Sequence, residues 1–114
     1  MEDCLFCRIV NKEIPADIVF ENDKLLAFRD IDPQAPVHIL IIPKEHITTT
    51  NDLNNNNKEL MGEVVLTAKS LATRYNIAED GYRMVFNCNK SGGQAVYHVH
   101  LHLLGGRQMK WPPG

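Results

Sequence analysis

The chain has 114 residues, of which 44% are hydrophobic and 23% are charged, and its formal net charge at pH 7 is −2. This length fits a single domain, residues 1–114, and the composition excludes disordered and fibrous proteins. The small net charge excludes a wide basic surface for nucleic acid, so we expect no nucleic-acid partner, although a local anion site stays open.

The first third of the chain predicts a short helix and a β-hairpin. Asp3 is a candidate N-cap for a helix over residues 4–11. Residues 17–21 and 24–29 each predict a strand, and the Asn22-Asp23 pair between them is typical of a hairpin turn.

The middle of the chain predicts a central strand and a long helix. Residues 37–42 are almost continuously apolar and mostly β-branched, which is typical of a strand buried on both faces. After a polar surface loop over residues 48–57, apolar residues recur at helical spacing and predict a helix over residues 57–75. Its apolar stripe, which we expect in the core, consists of Leu60, Met61, Val64, Val65, Ala68, Leu71, Ala72 and Tyr75.

The C-terminal third predicts two more strands, at residues 82–87 and 96–104, separated by a glycine-containing loop. Residues 105–114 follow as a turn or an extended tail. Five strands, one long helix and one short helix, joined mostly by short connections, predict an α+β fold. In that fold a five-stranded antiparallel sheet packs against the long helix.

Targeting features and disulfides are not expected. No apolar run approaches the ~20 residues that span a bilayer, so we expect no membrane segment. Residues 1–3 are acidic in character, which disfavours a signal peptide. Without export, three cysteines predict reduced thiols and an intracellular protein.

The run from His98 to His102 is the most informative part of the sequence. Side chains alternate along a strand, so His98, His100 and His102 are predicted to share one face. The three rings could be hydrogen-bonded or solvated, could chelate a metal, or could present a nucleophile held by its neighbours. Glycine pairs at 92–93 and 105–106 favour the nucleophile, because exposed N–H groups in such loops bind anions.

These histidines resemble the signature of the histidine triad (HIT) superfamily, His-x-His-x-His-x-x with apolar x. The sequence is similar in particular to the Hint branch of purine nucleoside phosphoramidases, over nearly the whole chain. The segments that carry this likeness are residues 12–16, 26–31, 33–36, 42–47 and 105–114. The last of them, which ends in Trp-Pro-Pro-Gly, is the most specific to the branch.

The resemblance implies a HIT-like fold and a hydrolase that cleaves the P–N bond of purine nucleoside phosphoramidates such as AMP-amine conjugates. His100 would attack the α-phosphorus, form a nucleotidyl-histidine and expel the amine, after which water would release a nucleoside monophosphate. The attack requires a neutral imidazole whose other N–H is held by an acceptor, and we expect a backbone carbonyl there. His102 would contact a phosphate oxygen or support the nucleophile, while His98 and His38 complete the catalytic group.

The resemblance also implies the nucleotide-binding residues. Asp30 takes the position of the acid that binds the ribose hydroxyls. The positions that sandwich the purine are Leu5, Phe6, Phe28, Ile31 and Leu40. The residues that would stabilise the charge of the phosphate, by their side chains or backbone N–H groups, are Asn87, Gly93, Gln94, Ala95 and Val96. A homodimer is implied, with two sheets joined edge to edge and Trp111 reaching the partner's site.

Two residues depart from the branch pattern. Ala95 stands where serine is usual, and a lost hydroxyl near the phosphate or leaving group would cost about 1–3 kcal/mol of transition-state stabilisation. Arg29 stands where histidine is common, beside Asp30, and is expected to alter how ribose is bound.

The pair Cys4 and Cys7 forms a Cys-x-x-Cys motif, which a helix would place on one face. Two free thiols are one interpretation. The resemblance implies another, a structural zinc held by Cys4, Cys7, His46 and His98. No cofactor is expected for catalysis itself, and Cys88 is expected to be an inert buried thiol.

Two further functions stay open. One is hydrolysis of dinucleoside polyphosphates on the same fold, which the Trp-Pro-Pro-Gly tail disfavours. The other is a zinc-stabilised nucleotide-binding or scaffold protein with weak catalysis, which Ala95 favours. The expected location is the cytoplasm, with the nucleus as a second compartment.

Overall fold

The computed structural model describes residues 3–114; Met1 and Glu2, on which the signal-peptide expectation partly rests, lie outside the described residues. Helices α1 and α2 span Leu5–Val10 and Lys58–Arg74. The strands are β1 Ile18–Glu21, β2 Leu25–Arg29, β3 Val37–Pro43, β4 Tyr82–Phe86 and β5 Leu101–Gly105. The predicted α+β fold, with five strands, one long helix and one short helix, is confirmed.

The five strands form one antiparallel sheet in the order β1-β2-β3-β5-β4. The predicted hairpin joins β1 to β2, and the side-chain oxygen of Asn22 accepts from the N–H groups of Lys24 and Leu25 to hold its turn. Strand β3 is central, as its apolar run predicts. Its pairing with β5 sets His38 opposite Leu104 and Leu40 opposite His102.

Each face of the sheet has its own apolar cluster, because successive residues of a strand point to opposite sides. Helix α2 covers one face, and the buried residues of that cluster are Leu25, Ala27, Ile39, Ile41, Val64, Ala68, Leu71, Ala72, Ile77, Leu101 and Leu103. Helix α1 covers part of the other face, where the buried residues are Cys4, Phe6, Cys7, Ile9, Leu26, Phe28, Leu40 and Ile42. The histidines project on the α1 face.

Two details of the helices differ from the sequence expectation. Val65 was predicted in the apolar stripe of α2 but is 41% exposed, because it lies one residue, about 100° of helix, beyond the buried Val64. Helix α1 is capped by Cys4 and not by Asp3, since the Cys4 sulfur accepts from the N–H of Cys7 at 3.3 Å.

The polar loop before α2 is ordered by its own side chains. It forms two short 3₁₀ turns, Thr50–Asp52 and Asn55–Asn57, and each begins with a reciprocal capping box. The richness of this segment in threonine and asparagine is therefore explained by local capping. Within residues 3–114, no helix combines the length and apolarity that crossing a membrane requires.

Candidate active site

The rings of His98, His100 and His102 lie on one side of the sheet, as predicted: the Phe6 ring of α1 lies 5.9 Å from His98 and 5.0 Å from His100, and His102 lies 4.9 Å from His100. The predicted strand over residues 96–104 is wrong at its start. Strand β5 begins only at Leu101, so that His102 alone lies in it, while residues 96–98 form a bend. Strand β4 ends at Phe86, directly opposite Leu101, and the N–H of Val99 donates to the Ile47 carbonyl at 2.7 Å outside the ladder. The bend buries His98 and His100, with relative exposures of 0% and 6%.

The ring of His100 is oriented by the backbone of the bend that precedes it. Its Nδ1–H donates to the carbonyl oxygen of His98 at 2.6 Å, which is the acceptor that the sequence predicts. In a neutral imidazole the other nitrogen, Nε2, then carries the lone pair. Burial lowers the pKa of His100 below its ordinary value, although the hydrogen bond to His98 and the charge of Asp30 oppose this. His100 therefore presents an unprotonated nitrogen at neutral pH.

The backbone also decides the tautomers of His38 and His102. The N–H of Gln34 donates to His38 Nδ1 at 3.0 Å, so the proton of neutral His38 resides on Nε2. His38 Nε2 lies 2.9 Å from His102 Nδ1 and donates to it. His102 accordingly carries its own proton on Nε2.

The result is two adjacent rings with complementary roles. The ring centroids of His100 and His102 are 4.9 Å apart, and the first ring offers a lone pair where the second offers an N–H donor. Burial, followed by the proximity of His100 and His38, lowers the pKa of His102 to about 4. Burial also lowers the pKa of His38, against the opposing charges of Asp30 and Asp32. All three rings are neutral at pH 7.

Asp30 lies at the edge of this histidine network. One carboxylate oxygen accepts from the N–H of Asp32 at 2.8 Å, and the other lies 3.5 Å from His38 Nε2. Asp30, His38 and His102 bring three ligand atoms within 4.8 Å of one another and so resemble a metal site. The Gln34 N–H argues against this, because it keeps the proton on the His38 nitrogen that a metal would need.

The residues predicted to sandwich a purine do lie together. Leu5, Phe6, Phe28, Ile31 and Leu40 line one cavity of about 220 Å³, with Asp30 and Val96 at the same cavity. Sequence reasoning missed four further lining residues, Ile9, Ile14, Pro15 and Ala16. Three of these belong to the segment over residues 12–16 that carries part of the family likeness, which was the available signal.

Arg29 also lines this cavity, but its guanidinium is held on the other side of the strand. Its Nε lies 3.2 Å from an Asp17 oxygen, and its guanidinium stacks 4.8 Å above the centre of the Tyr75 ring. Strand alternation explains this, because Phe28 and Arg29 are consecutive and must face opposite sides of the sheet.

The loop before the histidines offers fewer donors than predicted. The N–H groups of Gly93 and Gln94 are used by Lys90 and Asn89 carbonyls. The Gln94 amide donates to the carbonyls of Thr48 and Val96 and accepts from the Asn89 N–H, so its side chain is hydrogen-bonded within the protein and supports the loop. Among residues 3–114, no partner accepts from the N–H groups of Ala95 and Val96, which leaves them for an anion.

Two other predicted contacts lie at the margins of the site. Asn87 follows the end of β4, is half-buried, and makes no side-chain hydrogen bond within residues 3–114. Trp111 is 83% exposed and does not line the purine cavity of its own chain. Cys88 is half-buried and not buried as expected, and a hydrogen bond with Thr50 lowers its pKa.

The four predicted metal ligands converge beside the bend that precedes His100. Cys4, Cys7, His46 and His98 bring one ligand atom each within 4.8 Å of one another. The Nδ1 atom of His98 lies 3.3 Å from the Cys4 sulfur and 3.5 Å from the Cys7 sulfur, and His46 Nδ1 lies 3.3 Å from Cys7. Zn–S and Zn–N bonds of about 2.3 and 2.0–2.1 Å give tetrahedral edges of about 3.5 Å, which these separations match.

The hydrogen bonds around the cluster also suit a metal. His98 Nε2–H donates to the Pro43 carbonyl at 2.8 Å, so its Nδ1 lone pair points at the sulfurs. Burial and the hydrogen bond with Cys4 raise the pKa of Cys7 to about 11, so that a thiolate there requires a cation beside it. The residues therefore fit a Cys₂His₂ zinc site.

Comparison with known proteins agrees with this geometry. The HIT domain family model matches residues 11–109. The purine nucleoside phosphoramidase of Escherichia coli K12 is 50% identical over 108 residues, covering 95% of this chain and 91% of the relative. An uncharacterised HIT-like protein of Synechococcus elongatus is 52% identical over 113 residues, covering 99% and 98%. A solved structure of a HIT family hydrolase from Legionella pneumophila superposes with a TM-score of 0.97 at 61% identity, covering 98% of this chain and 100% of that one.

Proposed function

This chain belongs to the HIT domain family and is a nucleotide hydrolase, and we propose that it hydrolyses the P–N bond of purine nucleoside phosphoramidates. The observation that carries the proposal is the hydrogen bond of 2.6 Å from His100 Nδ1 to the His98 carbonyl. It fixes a buried, neutral imidazole with a free Nε2 beside a cavity that fits an apolar ring. The Escherichia coli relative bears the name of this activity, which supports the same substrate class.

The proposed reaction proceeds in two displacements. The Nε2 lone pair of His100 attacks the α-phosphorus while the P–N bond to the amine breaks and the amine nitrogen takes up a proton from solvent, which leaves a nucleotidyl-histidine. Water then attacks the same phosphorus and loses a proton to solvent, the P–N bond to His100 breaks, and a nucleoside monophosphate leaves with His100 neutral again. Each displacement is easier than a single direct hydrolysis because histidine is a better nucleophile than water.

The surrounding donors are placed to stabilise the charge on phosphorus oxygens. His102 Nε2–H and the N–H groups of Ala95 and Val96 are the free donors near the bend that carries His100. Phosphoryl-type transfer depends mainly on such positioned donors. The hydroxyl of a serine at position 95 is missing from this set, so we expect a lower rate than serine at that position would allow.

The test of the proposed function is a substrate comparison with the purified full chain. We expect AMP release from an adenosine 5′-phosphoramidate carrying an amine leaving group, and slower release from a dinucleoside polyphosphate under the same conditions. Acid-free quenching should trap the adenylate on His100, detectable by peptide mass spectrometry. Faster cleavage of the dinucleoside polyphosphate would overturn the substrate assignment.

Asp30 is proposed to set the preference for ribonucleotides. We expect Asp30→Asn to reduce the discrimination between an adenosine phosphoramidate and its 2′-deoxy analogue about tenfold, because hydrogen bonds to a charged acceptor contribute about 1.5–3 kcal/mol. The ratio of kcat/KM for the two substrates measures this. Asp32→Asn in the same exposed loop is the matched control and should leave the ratio unchanged; an unchanged ratio in Asp30→Asn would contradict the assignment.

A second function, a nucleotide-binding or scaffold protein with weak catalysis, is favoured by the single observation of Ala95. Its side chain is an exposed methyl group that cannot donate to a phosphate or leaving group. Tight AMP binding without measurable turnover would support this second function over the first.

We also propose a structural zinc held by Cys4, Cys7, His46 and His98, and a homodimer joined at sheet edges. A bound zinc would tie α1 to the bend before β5 by closing a tetrahedral set of ligands from both. Strand β4 is an edge strand with half-buried side chains, and the exposed Trp111 would reach a partner's site. None of the three cysteines, all of which lie among the described residues, forms a disulfide, which fits the expected cytoplasmic or nuclear location.

A further inference from the structure

The loop over residues 30–36 decides the tautomers of two histidines through one peptide group. The N–H of Gln34 donates to His38 Nδ1 at 3.0 Å, and His38 in turn donates to His102 Nδ1 at 2.9 Å. If the Gln34 peptide turned away, His38 could carry its proton on either nitrogen. His102 would then lose its fixed donor, and with it the fixed proton on its own Nε2.

The Gln34 peptide is held from the C-terminal segment that follows β5. Arg107 Nε donates to the Gln34 carbonyl at 3.0 Å. This carbonyl belongs to the peptide group between Gln34 and Ala35, which adjoins the Pro33–Gln34 peptide group whose N–H donates to His38. Gly106 packs so closely against the loop that a Cβ added there would lie 2.9 Å from the Pro36 Cβ. The segment Gly106–Arg107 therefore clamps the loop at two neighbouring points.

The Arg107 side chain makes few other polar interactions. Its other hydrogen bond, from Nη1 to the Gln108 carbonyl at 3.2 Å, stays within its own segment. Within residues 3–114 it forms no ion pair, and its side chain is exposed, so it contributes little to the core. Among the described residues, its one hydrogen bond to a part of the chain outside its own segment is the bond to the Gln34 carbonyl.

We infer that Arg107 is a positioning residue that fixes the proton of His38, and through it the proton of His102, by holding the Gln34 peptide. The role of His102 as a donor rests on the proposed function, whereas the tautomer assignment does not. The line of contacts runs from an exposed guanidinium to a histidine pair in the site without passing through the nucleotide cavity.

The experiment combines nuclear magnetic resonance with kinetics on the full chain. In protein labelled with ¹⁵N and ¹³C histidine, the ring nitrogen shifts of His38 and His102 report which nitrogen carries the proton. We expect Nε2–H at both residues in the unaltered protein. In Arg107→Ala, the ratio of Nε2–H to Nδ1–H at His38 should fall about fivefold, the equivalent of one ordinary hydrogen bond. The kcat for the phosphoramidate should fall with it, while KM should change less.

Arg83→Ala is the matched control. Arg83 also donates to a backbone carbonyl of the C-terminal segment, that of Lys110 at 3.0 Å, but it does not touch the loop over residues 30–36. We expect the tautomers of Arg83→Ala to match those of the unaltered protein. Arg107→Lys, which keeps a cationic donor, should restore part of the change.

The possible results separate the positioning role of Arg107 from the proposed function. Unchanged tautomers in Arg107→Ala, or equal changes in Arg107→Ala and Arg83→Ala, would overturn the positioning role. A tautomer change in Arg107→Ala alone, in a protein that hydrolyses no phosphoramidate, would support the positioning role and count against the proposed function.

Discussion

Replacing His100 with alanine is expected to lower kcat for an adenosine phosphoramidate by about 10⁴-fold or more, as removal of a covalent nucleophile does in other hydrolases. The free Nε2 of this ring is the only imidazole lone pair that the described residues leave unused in the site, since His38 and His102 use their Nδ1 lone pairs as acceptors. No neighbouring group can therefore take over the attack. Steady-state release of AMP, followed by chromatography, measures the loss.

Two further variants separate loss of the nucleophile from loss of the fold. His100→Asn keeps a polar side chain of lower volume and should be equally inactive while still binding AMP. His102→Asn removes a donor and not the nucleophile, so we expect a smaller loss of about 10²–10³-fold. If His100→Ala retained activity within about tenfold of the unaltered protein, covalent catalysis by this residue would be ruled out.

Removing the metal proposed at the cysteine pair is expected to have the largest effect on stability. A ligand present at about 1,000 times its dissociation constant stabilises the folded state by about 4 kcal/mol. In a domain of this size that corresponds to a loss of about 10–20 °C in Tm upon chelation. We expect one zinc per chain by elemental analysis. In Cys7→Ser we expect the loss of both the zinc and the increase in Tm that the zinc provides.

The third cysteine provides the control for the metal site. Cys88 lies outside the cluster, so Cys88→Ser should keep its zinc and its response to the chelator. Because the His98 carbonyl also holds the His100 ring, the Cys7→Ser protein should lose part of its kcat as well. A protein without zinc whose Tm does not respond to chelator would leave Cys4 and Cys7 as ordinary buried thiols.

His98 links the expectations for His100 and for the metal site. Its ring lies against both sulfurs of the cluster, and its carbonyl accepts from the His100 ring. The proposed zinc ligand His98 and the proposed nucleophile His100 are thus only two residues apart in the chain. A change at the cysteine–histidine cluster should therefore affect His100, and a change at His100 should affect the cluster.

Local patterns in the sequence were sufficient for the number and order of the elements. The apolar run over residues 37–42 predicts a central strand, and the helical spacing from Leu60 to Tyr75 predicts α2, because burial imposes these periods directly on the sequence. The histidine motif, through the family resemblance, and the Cys-x-x-Cys pair pointed to the residues proposed to react and to bind metal. The sequence also predicted that a backbone carbonyl holds His100, without indicating which one.

Only the tertiary structure decided where β5 begins, because β4 ends opposite Leu101 and the N–H of Val99 bonds to Ile47 outside the ladder. It also decided that the Gln94 amide bonds to Thr48, that the Arg29 guanidinium stacks on Tyr75, and that the backbone N–H of Gln34 sets the tautomer of His38. Each of these depends on a hydrogen bond or contact between segments distant in sequence or on backbone atoms that every residue carries. The sequence alone therefore determined which groups are present, while long-range packing determined which of their atoms remain free to react.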